Sequence, residues 1–319
     1  PEAVPSDEPA VARTRVVSSG QGAPRSDDPP KTGTVRVHLV DGTFELFRCF
    51  HGAPRATGPG GDEVGAARAL FATLVALLDH RSVTHAAVAF DSVIAPATPK
   101  GRATAEDLIG AQQPLAADVV RALGLPVWPA GRFQADDLLA SGAATFDGLA
   151  DVDQVVVCTT DNDLAQCVRS NRVVLLDRIR GVTTDEPAVR DKFGVGPEQI
   201  PDLFGLIGDR SDGIAGVPGW GKVSAARVLD RYRSIEAIPR DGADWDVDVR
   251  GRERLALALA ERRDEALLAR DLSIRRDDLP VPSTLSSIEW RGARRPLVDR
   301  LVERLRDDSA VGRIVRWSD

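Results

Sequence analysis

The sequence has little of what several protein classes require. It has only three cysteines in 319 residues, Cys49, Cys158 and Cys167, and no CxxC pair among them, which excludes a disulfide framework or a thiolate zinc site. Two of the three lie inside apolar runs, and all three read as structural residues. The four histidines form no HxxxH pair, and a metal would therefore have to be held by oxygen. No stretch approaches the ~18 apolar residues of a membrane span. No basic segment followed by an apolar one opens the chain, and a cytoplasmic location is the expectation. A basic surplus is missing too: the net charge is −7, the wrong sign for a protein that neutralises phosphates.

What is present falls into three regions. Residues 1–33 are rich in Pro, Gly, Ser and mixed charge without apolar periodicity, and read as a disordered leader. Residues 34–184 alternate short apolar runs (VRVHLVD, HAAVAFD, QVVVCTTD, RVVLLD) with helical patterns near 62–79, 105–123 and 135–149. That alternation predicts an α/β fold with a parallel sheet covered on both faces. From 185 to 319 the pattern becomes mostly helical, with a charged helix over 252–270 and an amphipathic one over 294–315.

Three of the apolar runs lead into an aspartate: Asp41, Asp91 and Asp161. Ligands of open parallel sheets bind beyond the carboxyl ends of the strands, so these side chains should collect on one edge. Taken singly, each could simply cap a helix. Asp136 and Asp137 open a helix, Asp163 follows Asp161 across one residue, and Asp209 and Asp212 follow the helical PDLFGLIG. Eight such carboxylates repel one another unless divalent ions neutralise them, and a hard oxygen set favours Mg²⁺ or Mn²⁺. Two or more ions there could activate water and stabilise a leaving oxygen in phosphodiester hydrolysis. With those carboxylates set aside, the rest of the chain is close to neutral, which weakens the objection from charge.

GVPGWGKVSAARVL, from Gly216 to Leu229, places a glycine-rich turn before a helix, an arrangement that offers backbone N–H groups to phosphate without reading bases. Lys222 and Arg227 add positive charge.

Together LVDGTFELFRCFHGAP, VAFD, QADDLLA, TTDNDLAQCV and GLIGDRSDGIAGVPGWGKVSAARVL, spanning Leu39 to Leu229, resemble the 5′ nuclease family. That family includes the 5′–3′ exonuclease domain of bacterial DNA polymerase I and the flap endonucleases. The resemblance implies a PIN-like parallel sheet flanked by helices, then a helical region with a helix-hairpin-helix (H3TH) motif. It implies that Asp41, Asp91, Asp136, Asp137, Asp161, Asp163, Asp209 and Asp212 are metal-site carboxylates. Gly216, Val217, Gly219, Gly221 and Lys222 would form the duplex-binding hairpin, which in the family also holds a monovalent cation such as K⁺. Arg48 and His51 match a segment that lies beside the scissile strand.

Two departures stand out. Gln134 occupies the place of a family glutamate, with an amide oxygen that can coordinate a cation but brings no charge. The family's FRH sequence and arching helix are replaced by PATPKGRATAED, which leaves phosphate clamping to Lys100 and Arg102. With no polymerase domain in these 319 residues, the expectation is a stand-alone, monomeric nuclease acting on DNA with a 5′ end, flap or nick, served by a separate DNA polymerase or ligase. A catalytically weakened DNA-binding protein, a PIN-type ribonuclease and a small-molecule phosphatase are the alternatives. A phosphatase normally needs DxD after its first strand, and Asp41 is followed by Gly42-Thr43.

Overall fold

The computed structural model describes residues 33–80, 82–92, 104–209 and 213–318. The first region runs β1 (Val35–Asp41), α1 (Gly42–Gly52), α2 (Gly65–Leu78), β2 (His85–Phe90), α3 (Ala105–Ala122), β3 (Val127–Pro129), α4 (Ala135–Asp147), β4 (Val152–Cys158), β5 (Val173–Asp177) and β6 (Val182–Thr184). These strands form one sheet in the order β3-β2-β1-β4-β5-β6, parallel except for β6, which returns antiparallel along β5. The strands are apolar without alternation because both faces are covered. Val37, Leu39, Val155 and Val157 point into one core with α4, while Val40, Val88, Val156 and Cys158 point into the other with α1, α2 and α3.

β1 occupies the middle, with β2 added on one side and β4 on the other. Strand order therefore reverses at β1, and the crevice beyond its carboxyl end is where such a sheet binds its ligand.

The second region contains α5 (Glu186–Phe193), α6 (Ile200–Ile207), a hairpin of β7 (Gly208–Asp209) and β8 (Ile214–Ala215), α7 (Lys222–Tyr232) and α8 (Arg252–Ser273). Its apolar side chains, among them Phe193, Leu203, Leu206, Leu229 and Leu259, join the α4-side core rather than forming a separate one. The chain then passes α9 (Leu285–Ile288), β9 (Ala293–Arg294), α10 (Arg295–Leu305) and β10 (Trp317–Ser318). This last segment returns to the first region. Trp290, Val298, Leu301 and Leu305 complete the opposite core, and the Trp290 indole donates to Leu123 O at 2.8 Å. Helix periodicity alone does not reveal which core an amphipathic helix joins, so the sequence reads this stretch as part of the helical region.

Candidate metal centre and nucleic-acid interface

Asp41 ends the central strand and caps α1. Its Oδ1 accepts from Phe44 N at 2.9 Å and its Oδ2 from Thr159 Oγ1 at 3.0 Å. Asp91, just past β2, accepts from Ala135 N at 2.7 Å and so caps α4 from the neighbouring strand end. Asp161, beyond β4, accepts from Asp163 N at 2.9 Å and starts a 3-10 turn, Asp163–Cys167. Capping and clustering are thus the same event, because each carboxylate that closes a helix start is carried to the same sheet edge.

Asp136, on the first turn of α4, completes this group. Burial drives its carboxyl up to about 9, with the charges of Asp41 and Asp161 adding to the effect and Arg275 opposing it. Asp41 is driven up to about 7, again by burial first, with Asp161 and Asp91 contributing. Carboxylates that are desolvated and mutually repelling hold protons until a cation replaces them. Among the described residues no three carboxylate, imidazole or thiol groups converge closely enough to enclose an ion. Charge and donor type nonetheless fit a hard divalent cation held by Asp41, Asp91, Asp136 and Asp161.

Gln134, Asp137 and Asp163 stand differently. Gln134 is the N-cap of α4, and Asp137 accepts from its N–H at 3.2 Å. Arg275, only 8% exposed, donates to Gln134 Oε1 at 2.7 Å and forms an ion pair with the buried Asp163 carboxylate. The chain around Arg275 lies as a strap across both acidic elements. Arg275 N donates to Gln166 Oε1 at 3.0 Å, Arg276 N to Asp137 Oδ1 at 3.0 Å, and Leu279 N to Ser141 Oγ at 3.0 Å. Sequence reading missed this strap. It has no periodicity, and only the run of two arginines after α8 hinted at it.

Arg48 is held in a network with the buried Glu45, which also binds Arg178 at 3.0 Å. His51 is exposed, its ring 4.4 Å from that of Phe47. Asp209 closes the first leg of the hairpin. Lys100, Arg102 and Asp212 lie outside the described residues. The cysteines are free, and burial pushes the Cys158 and Cys167 thiols up to about 12.

In the hairpin the glycines have a steric reason. Gly208 has φ +77°, and a Cβ on Gly216 would lie 2.3 Å from the Ile207 carbonyl, so the two legs meet only without side chains. Val217 lies in the same turn. It is 5% exposed and gives its N–H to Leu206 O at 2.9 Å, so it anchors the turn from within and presents no side chain outward. Trp220 anchors the other end through Leu255 O at 3.1 Å. Between these anchors Gly219, at φ +84°, is exposed, and Gly221 caps an exposed α7 start. Lys222 and Lys192 both lie over the Phe193 ring, at 5.6 and 5.0 Å, and Arg227 and Arg250 share the surface beside Gly219 and Lys222. Lys192 and Arg250 belong to no motif and become neighbours of the turn only through folding.

Fold and site together define a class: a parallel-sheet α/β domain with an acidic carboxyl edge, joined to a helix-hairpin-helix region. Within it the chain belongs to the 5′–3′ exonuclease family. Residues 36–194 match its N-terminal resolvase-like domain and residues 195–296 its C-terminal SAM fold. The chain is 32% identical over 283 residues to DNA polymerase I of Bacillus caldotenax, covering 85% of this chain and 31% of that protein. It thus spans about a third of that relative's length. The fold is shared with the T5 5′-exonuclease carrying divalent zinc ions (TM-score 0.59, 18% identity, 85% of this chain and 98% of that one). It is shared also with human GEN1 bound to Holliday junction DNA (TM-score 0.58, 15% identity, 89% and 72%).

Proposed function

We propose that the chain hydrolyses DNA phosphodiesters as a Mg²⁺- or Mn²⁺-dependent 5′–3′ exonuclease and flap endonuclease. The observation that carries this reading is the desolvated carboxylate group at the strand-order reversal, in a chain whose second region presents a turn that offers backbone and cationic groups to phosphate. Divalent ions bound there would supply an activated water and neutralise the charge on the leaving oxygen. Asp41, Asp91, Asp136 and Asp161 hold these ions, and Gln134, Asp137, Asp163, Asp209 and Asp212 shape the remainder of the centre. Gly219, Gly221 and Lys222 bind the duplex backbone, supported by Gly216 and Val217, with K⁺ as the monovalent ion of the hairpin. Arg48, His51, Lys100 and Arg102 orient the scissile strand. The protein acts as a cytoplasmic monomer in primer removal or repair, alongside a DNA polymerase or ligase.

The test is cleavage of end-labelled flap, nicked, blunt and single-stranded DNA, with RNA as control, in Mg²⁺, Mn²⁺ or EDTA. Cleavage from the 5′ side of DNA, lost in EDTA, is the expected result. Binding without cleavage in either metal would favour the DNA-binding alternative, and preference for RNA would favour a ribonuclease.

A further inference from the structure

We propose that Arg275 is a positioning residue of the metal centre. Its buried guanidinium serves as a fixed positive charge on the Gln134–Asp163 side of the acidic edge. In the DNA-free protein a divalent ion is therefore taken up by Asp41, Asp91, Asp136 and Asp161, without Asp163 as a ligand. The inference rests on the reading of this edge as a metal site.

Three observations carry it. The Asp163 and Arg275 side chains are 3% and 6% exposed and form an ion pair. Removing one partner of a buried pair strands the other's charge, so an ion drawn to Asp163 Oδ2 would have to displace the guanidinium at substantial cost. Second, Gln134 is a neutral partner of the same cation. Its amide oxygen accepts from the same guanidinium at 2.7 Å without adding a second negative charge. Third, Arg275 is held in place by its own main chain, through Gln166 on one side and, one residue on, Asp137 on the other. The strap leaves the end of α8, which packs along α6, the helix that leads into the hairpin. Arg275 thus ties the region proposed to hold DNA to the acidic edge.

The measurement is Mn²⁺ binding to the DNA-free protein by calorimetry, with melting in EDTA as a check of folding. Arg275→Gln removes the fixed charge and should tighten Mn²⁺ about tenfold, the effect of deleting a unit charge within several ångströms of a partly screened ion. The double variant Asp163→Asn with Arg275→Gln removes the pair without changing net charge. It should bind Mn²⁺ within about threefold of wild type. If Arg275→Gln does not fold, this charge-balanced variant still decides. A larger loss of affinity in the double variant would make Asp163 a ligand and overturn the inference, as would unchanged affinity in a folded Arg275→Gln protein. Both failures leave the metal site standing, whereas absence of Mn²⁺ binding by the wild type would remove the metal-site reading itself.

Discussion

At the scale of single residues, the raised carboxyls of Asp136 and Asp41 make stability depend on pH and metal in a defined direction. Each is an acid whose folded value, about 9 and about 7, lies above its ordinary value of 3.8. Between those limits the folded state holds more protons than the unfolded one, so stability without metal falls as pH rises from about 4 towards 9. Asp136→Asn removes the larger contribution. In EDTA at pH 8 it should melt above the wild type by roughly 4–8 °C, the shift that about 2 kcal/mol produces in a domain of this kind, with the gain vanishing near pH 4. Mg²⁺ should narrow the gap at pH 8 by stabilising the wild type. Melting curves at the two pH values check this, and a variant less stable than wild type at pH 8 would refute the repulsion. The aspartates were legible in the sequence because they end apolar runs. Gln134 stands out in the sequence as a departure, yet its partner does not, because Arg275 lies 141 positions away along the chain.

At the scale of elements, the hairpin makes two separable claims. Lys222 is exposed and leads α7, so Lys222→Ala should weaken duplex binding alike for all sequences and reduce the salt slope by about 0.9, one phosphate contact. Fluorescence anisotropy over a salt series checks it, and an unchanged slope would mean that Lys222 does not meet phosphate. Gly216→Ala tests the shape of the turn. A methyl 2.3 Å from the Ile207 carbonyl forces the two legs apart, so affinity should fall while the salt slope, which counts charges, stays as it was. The strands that carry the aspartates could be read as continuous apolar runs, and the helices flanking the hairpin from period and turn chemistry. β3 and β6, with three residues each, could not, because so short a run has no period to read.

At the scale of the whole molecule, the chain is organised by two cores on opposite faces of one sheet, each closed by a segment distant in sequence. The helical region extends the α4-side core, and the C-terminal segment seals the other. Only the first half of that arrangement follows from the order of elements. The return of the C-terminal segment is tertiary, with α10 packed on α3 and the Trp290 indole donating to Leu123 O. The net charge of −7, which on its own argues against nucleic acid, is reconciled by its distribution. Carboxylates gather at the sheet edge, and Lys192, Lys222, Arg227 and Arg250 gather beside the turn. On the proposed function these two places divide the work, catalysis at the edge and grip at the hairpin. Asp136→Asn separates them most directly, through single-turnover cleavage and equilibrium binding on the same 5′-flap DNA. Cleavage in Mg²⁺ should fall by about a hundredfold or more, while binding stays within about threefold of wild type. Cleavage at the wild-type rate in a folded Asp136→Asn protein would rule out the acidic edge as the catalytic centre.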